Sequence, residues 1–310
     1  MDPAQPTDRG EREFLESMPP ERGLHLLAAA LDGGEIRDVV RLGGGLDCAT
    51  HAFEVRGERF VLKRSRPGST SAAAVEFANL GHAWQSEVTT PEPVALDIAG
   101  DWFGSPALVM TALPGAHNLF PDDEETWLRD LAHALARLHD TPTAGFPRRR
   151  PPYWDRWQIW TDELDDRLRA VVAAIDELRS VAPSEPEVFT HDDYHPGNAI
   201  FVGDRLTGVV DWSHAALEPR QAAVAYCRKD LAIHPGGDTA DRFLSAYEAE
   251  VGFRLDDMDL WDILYGARAL QWGHRWVPAF AEVGVQCTAT QIRDASAAFI
   301  DAALARRARR

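Results

Sequence analysis

The spacing of apolar residues changes character along the chain, and each change marks a new kind of element. In "GLHLLAAALDGG", residues 23–34, leucines and alanines run into a double glycine, which predicts a short helix with a glycine stop. From residue 35 the period drops to two. "EIRDVVRLGGGLDCATHAFEVRGERFVLKR" alternates β-branched and aromatic residues with polar ones, predicting strands around a hairpin turn at Arg56-Gly57-Glu58. Gly43, Gly44 and Gly45 form the loop that precedes this hairpin. "SAAAVEFANLGHAW" returns to helical spacing, and "PEPVALDIAGDWFGSPALVMTALPG" adds two strands about a Gly-Asp turn, closed by a Pro-Gly break at Gly115.

Beyond Asp122 the pattern becomes mainly helical. Acidic residues crowd a first turn, and Leu128, Leu131, Leu135 and Leu138 then share one face. "FPRRRPPYW", residues 146–154, separates this helix from a second within "TDELDDRLRAVVAAIDELRSV". Strands "AIFV" and "TGVVDW" follow about a "GDRL" turn, then helices near 220–232 and 239–251 and an aromatic-rich end. No internal repeat or low-complexity segment interrupts the series. The expectation is an α+β chain of two lobes: a loose arm (1–20), a small N-terminal antiparallel-sheet lobe (21–115) and a larger, mainly helical C-terminal lobe (116–310).

Composition fits that division. At 310 residues the chain exceeds the size at which one core usually keeps growing. Hydrophobic content of 45% and charged content of 26% are those of a soluble globular protein, and no apolar run approaches the length of about 20 residues needed to cross a bilayer. The first twenty residues are acidic and proline-rich without an apolar core, so the expected location is cytoplasmic, with no membrane partner. Cys48, Cys227 and Cys287 stand too far apart in sequence to suggest a disulfide framework or a zinc site. A net charge of −17 repels phosphate backbones despite the terminal "ARRARR", which excludes nucleic acid as the expected partner and favours cationic small molecules.

The stretch "FTHDDYHPGNAIFVGDRLTGVVDWSHAALEP", residues 189–219, carries the chemistry. His191, Asp193 and Asn198 match H-x-D-x-x-x-x-N, and Asp211 follows thirteen residues after Asn198 at a strand end. Phosphoryl transfer gives each a reason. An attacking hydroxyl must be held in line and lose its proton, which asks for a carboxylate, Asp193, that faces the acceptor. Polyphosphate charge must be neutralised by Mg²⁺, and Asn198 and Asp211 offer the amide and carboxylate oxygens that this hard cation prefers. His191 reads as a buttress of the loop. A zinc hydrolase is the chemical rival, since His191 and His195 are four residues apart. Yet Pro196 and Gly197 break a helix there, and no glutamate completes H-E-x-x-H. An ordinary hairpin of turn-forming residues is the bland alternative.

The first lobe offers matching parts. Of 32 basic residues only two are lysines, Lys63 and Lys229, and Lys63 closes the strand "RFVLK", where a point charge would meet nucleotide phosphates. Glu76 in the next helix could aim it. Gly44 and Gly45 lie where backbone N–H groups would approach phosphates, although the run does not match G-x-G-x-x-G. Backbone groups of Thr111 to Leu113, in "LVMTALPG", could meet the edge of an adenine or guanine.

"HDDYHPGN" with "GVVDW", and "FVLK" and "LVMTALPG" upstream, resembles the aminoglycoside phosphotransferase family over roughly residues 35–280. The resemblance implies a protein-kinase-like fold, with a nucleotide-binding first lobe and a catalytic, substrate-binding second lobe. It also implies Asp193 as catalytic aspartate, Asn198 and Asp211 as Mg²⁺ ligands, Lys63 as the phosphate lysine and Glu76 as its partner. Two positions depart from the family's usual pattern. Asp192 stands where a glycine is usual, and Ala222 and Ala223 stand where an aspartate often braces the loop after Pro219-Arg220.

The resulting expectation is a kinase moving the γ-phosphate of ATP or GTP to a small-molecule hydroxyl. A metallohydrolase and a nucleotide-binding pseudoenzyme stand as rivals. Two acidic runs, Asp162, Glu163, Asp165, Asp166 and Asp256, Asp257, Asp259, Asp262, suggest a cationic acceptor such as an amino sugar, although a solvated face is the commoner use of such runs. Tyr153, Trp154, Trp157, Trp160, Trp272 and Trp276 read most simply as core, or else as walls for a bulkier macrolide-like acceptor. The oligomeric state is not legible in the sequence.

Overall fold

The alternation read in residues 35–64 becomes an antiparallel sheet. The computed structural model describes residues 9–43, 48–69, 72–147, 151–161, 163 and 165–310. Strands β1 (Ile36–Arg41), β2 (Cys48–Val55), β3 (Glu58–Ser65), β4 (Pro93–Asp97) and β5 (Ala107–Thr111) form one sheet in the order β1-β2-β3-β5-β4. The β2–β3 hairpin turns at Arg56 and Gly57, both at positive φ (55° and 82°), the mirror-type turn whose twist suits paired strands. Strand parity then sorts the side chains. Phe60 and Leu62 face a small core with Leu27, Phe53, Val55 and Val109, while Val61 packs toward the larger core on the other face. Lys63, two residues after Val61, shares that second face.

The segment expected as a loose arm contains helix α1 (Arg9–Glu16), followed by α2 (Glu21–Ala30). Leu15 is buried, and the Arg64 guanidinium donates to the Ser17 carbonyl, which ties the arm to the sheet. His51 on β2 is fully buried beside Arg64; burial, aided by that cation, pushes its imidazole down to about 4. A histidine whose folded pKa is depressed contributes stability that is present above its unfolded value near 6.5 and lost as pH falls toward about 4. The wild-type thermal midpoint is therefore expected to fall further between pH 7 and pH 5 than that of His51→Gln. Equal falls would remove His51 from the account.

Helix α3 (Ala72–Ala83) joins the two lobes: Leu80 enters the larger core, and the Asn79 amide donates to the Trp212 carbonyl at 2.8 Å. The second lobe is built on α4 (Glu124–His139), capped by the Asp123 carboxylate accepting from Thr126 N–H, with Leu128, Leu131, Leu135 and Leu138 all buried. The four-residue helix α5 (Tyr153–Arg156) and α6 (Asp166–Val181) follow, α6 starting later than the sequence suggested because the Asp165 side chain caps it. Strands β6 (Glu187–Thr190) and β9 (Ala216–Pro219) pair, as do β7 (Ala199–Val202) and β8 (Arg205–Val209). Helices α7 (Arg220–Ile233), α8 (Thr239–Val251), α9 (Met258–Trp272), α10 (Val277–Glu282) and α11 (Ala289–Arg307) complete the lobe. The expected strand "TGVVDW" stops at Val209, because Asp211 adopts a left-handed backbone (φ 64°) and a short 3₁₀ turn follows. No described helix is long and apolar enough to cross a membrane.

Candidate active site

Three of the residues singled out in sequence meet between the lobes. Lys63 Nζ lies 2.6 Å from Glu76 Oε1 and 3.1 Å from Asp211 Oδ1, so one ammonium bridges helix α3 and the turn after β8. Burial disfavours the Lys63 charge, yet the two carboxylates more than offset it and hold its pKa above the usual value. Burial pushes the Glu76 carboxyl up to about 7 against the pull of Lys63. Asp211 also accepts from the Ser213 hydroxyl at 3.0 Å.

The loop between β6 and β7 places Asp193. The Asn198 amide donates to the Asp193 carbonyl at 2.8 Å and to its Oδ2 at 3.0 Å, closing the loop across five residues. The Tyr226 hydroxyl, from α7, donates a short hydrogen bond to Asp193 Oδ1. Burial opposes the Asp193 charge, but nearby His195 and His214, the Tyr226 hydroxyl and His191 outweigh it and hold this carboxyl well below the ordinary carboxylate range. Such a group is a weak base and a fixed, fully charged hydrogen-bond acceptor. His191 is fully buried and bonds through Nε2 to the Val210 carbonyl at 2.9 Å, a buttress between the loop and the Asp211 turn.

The departures in sequence have local explanations. Asp192 sits at φ 53°, a left-handed conformation that glycine takes freely and aspartate tolerates. It is buried, whereas the Asn198 and Tyr226 bonds both go to Asp193. At Ala222 and Ala223 no carboxylate can brace the loop, and the Tyr226 bond to Asp193 supplies a brace from the next turn of α7. Lys229 Nζ lies 3.8 Å from the Tyr226 ring centroid and the Arg268 guanidinium carbon 5.0 Å from it, so two cations pack against the phenol. Sequence reasoning missed Tyr226, Lys229 and Arg268 in this role. Their positions on α7 and α9 carry no local motif, and only the Tyr226-to-Lys229 spacing of three was available as a signal.

Other expectations fare differently. Gly44 and Gly45 lie outside the described residues. The Thr111 N–H donates to the Glu92 carbonyl and its hydroxyl accepts from Glu92 N–H, so the Thr111 amide is spent on the residue that precedes β4. Among the described residues no backbone hydrogen bond engages the Leu113 N–H. The zinc spacing of His191 and His195 is not on a helix, since Pro196–Asn198 form a 3₁₀ turn. Among the described residues no cluster of three or more His, Cys, Asp or Glu is arranged to hold a metal.

Most described members of the acidic runs are committed elsewhere. Asp165 caps α6, and Asp166 pairs with Arg169. Asp257 and Asp259 pair with Arg307 and Arg310, and fully buried Asp262 with Arg228 and Arg306; Asp162 lies outside the described residues. Trp154 and Trp157 are buried, with Trp154 edge-on to Trp261 at 5.2 Å, so these rings are core.

A model of the phosphotransferase enzyme family matches residues 38–264. The chain belongs to this family. Phosphotransferases among its relatives include the homoserine kinase of Rhizobium meliloti, 27% identical over 191 residues that cover 56% of this chain and 57% of the relative. The chain thus matches less than two thirds of that kinase's length. A thermostable mutant of aminoglycoside phosphotransferase APH(4)-Ia, solved with ADP and hygromycin B, superposes with a TM-score of 0.65 at 15% identity, covering 91% of this chain and 97% of that one. The choline kinase LicA of Streptococcus pneumoniae superposes with a TM-score of 0.59 at 16% identity, covering 86% and 94%. At these identities the two structures share the two-lobed, protein-kinase-like fold.

Proposed function

We propose that the protein is a small-molecule kinase that moves the γ-phosphoryl group of ATP or GTP to an alcohol. The observation that carries this reading is the pair of facing constellations. Lys63 is held by Glu76 and Asp211 on one side, and Asp193 is held by Asn198 and Tyr226 on the other. On this reading Lys63 meets the nucleotide phosphates, and Asp193 orients the acceptor hydroxyl and takes its proton. The acceptor oxygen bonds to the γ-phosphorus as the bridging bond to the β-phosphate breaks, and ADP or GDP departs with those electrons. A strongly depressed Asp193 suits a loose transition state, in which positioning counts for more than base strength.

Mg²⁺ fits the residues present. The Asn198 amide nitrogen is used on Asp193, while among the described residues no hydrogen bond engages its Oδ1; Asp211 is 39% exposed. These two oxygens would hold the ion, with phosphate oxygens and water completing its shell, and the ion would neutralise polyphosphate charge. Asp211→Asn is expected to raise the Mg²⁺ concentration needed for half-maximal turnover by about tenfold or more. An unchanged Mg²⁺ titration would remove Asp211 from the ligand set.

The reading is tested by Mg²⁺-dependent release of ADP or GDP in the presence of a panel of hydroxylated compounds. Acceptor-dependent release supports a kinase, release without any acceptor points to a hydrolase, and binding without release points to a pseudoenzyme. Amino sugars belong on the panel. Asp165, Asp166, Asp257, Asp259 and Asp262 of the two acidic runs that suggested them are, however, engaged in caps and ion pairs, and two cations, Lys229 and Arg268, pack on Tyr226.

A further inference from the structure

Two arginines of the second lobe stand in opposite circumstances, Arg228 fully buried and Arg268 partly exposed. Arg228 on α7 is saturated: its donors reach Asp262, Asp241 and the Ala240 carbonyl. Arg268 on α9 has none of this. Its guanidinium carbon lies 5.0 Å from the ring centroids of both Tyr153 and Tyr226, and it makes no hydrogen bond and no ion pair to any described residue. Its Nε is shielded from solvent without a partner. A guanidinium carries five N–H donors in a planar fork, and in a partly exposed group without protein acceptors the other donors are open to a ligand. Stacking on aromatic rings accounts for the faces of the group and not for its edge.

The neighbours set the charge around Arg268. Tyr226, under Arg268, donates to Asp193, and both Asp192 and Asp193 lie near enough to favour the Arg268 charge. A second cation, Lys229, lies over the other ring contacts of the cluster, 3.8 Å from Tyr226 and 4.6 Å from Trp276, and is paired with Asp230. Arg268, unlike Lys229, thus has no carboxylate bonded to it among the described residues, and it lies one tyrosine away from the carboxylate that would hold the acceptor.

We propose that Arg268 binds an anionic group, most simply a carboxylate, on the acceptor, so that the substrate is a short hydroxy acid whose hydroxyl lies at Asp193 and whose acid end lies on the guanidinium edge along Tyr226. This rests on the kinase reading and narrows its acceptor. Planar, bidentate carboxylate recognition is the task for which the guanidinium fork is built. A polycation or a quaternary ammonium would instead meet Arg268 with like charge, so the wall of rings does not serve here as a cage for a cationic headgroup.

The test uses the full chain with Mg²⁺ and nucleotide, and compares L-homoserine and 4-hydroxybutyrate with their carboxamides and with choline. Equilibrium binding and acceptor-dependent ADP or GDP release are both measured. Wild type is expected to bind at least one acid about 10- to 100-fold more tightly than its amide, from the strength of a charge-assisted hydrogen-bonded pair. Arg268→Gln should erase that preference by weakening the acid alone, with the nucleotide KM unchanged, and Arg268→Lys should restore part of it. Amides or choline binding as well as the acids, no acid binding at all, or a preference that survives in Arg268→Gln would overturn the proposal. If Arg268→Gln folds poorly, Arg268→Lys carries the comparison, and an acid that binds wild type no better than its amide overturns the proposal without any variant. Should Asp193-dependent transfer to a neutral or cationic acceptor be found, the kinase reading stands while this proposal fails; acid binding with no transfer to any acceptor would count against the kinase reading instead.

Discussion

Replacing Asp193 with alanine is expected to lower kcat by about 100- to 10,000-fold, the usual range for removing a positioned proton acceptor. Nucleotide affinity should stay close to wild type, because the Asp193 side chain is bonded to Asn198 and Tyr226 and not to Lys63. The separation of these two effects is the informative part. A kcat within a few-fold of wild type would return Asp193 to a structural role in the loop. A collapse of nucleotide affinity would place it on the metal side of the site. Tyr226 makes a useful comparison: losing its hydroxyl removes one hydrogen bond to Asp193 and should have a smaller effect on kcat than losing the carboxylate itself.

The second large effect is expected at Lys63. Lys63→Ala should cut turnover by about 100- to 1,000-fold, the scale seen when one preorganised group facing developing charge is removed. It also leaves Glu76, 3% exposed, and the shared Asp211 without their cation. Lys63→Arg is not expected to rescue, because the pocket is set for a compact ammonium at 2.6 Å from Glu76, and a planar fork needs different geometry. Activity insensitive to either substitution would dissolve the link between the lobes. A thermal melt of each variant separates lost chemistry from lost folding.

What could be read in the sequence was whatever is local in the chain. His191, Asp193 and Asn198 lie within eight residues, so their spacing is a direct consequence of one loop, and the Asn198 bond that closes it was implicit in that spacing. Lys63 stood out as one of only two lysines, closing the strand "RFVLK". Glu76 pairs across only thirteen residues of sequence, and its helix was visible from the alanine-rich run. The parts that stayed hidden are set by distant partners. Tyr226 and Arg268 sit on apolar helices, and nothing in "AVAYCRKD" or "YGARALQW" says which side chains face a cleft. The second acidic run looked available because the arginines that engage it, Arg228, Arg306, Arg307 and Arg310, lie dozens of residues away. Strands β6 and β9 are four residues each and leave no periodic trace. The end of β8 was misjudged because the left-handed backbone at Asp211 depends on what it must face, and not on the β-forming residues before it.

The central claim is transfer of a phosphoryl group, and nucleotide labelled at the γ-phosphorus tests it most directly. Wild-type protein, incubated with Mg²⁺, labelled ATP or GTP and the acceptor panel, should move the label into an acid-stable phosphate ester of an acceptor, and Asp193→Ala should not. Label appearing only as inorganic phosphate, or remaining wholly on the nucleotide with every acceptor, would contradict the account.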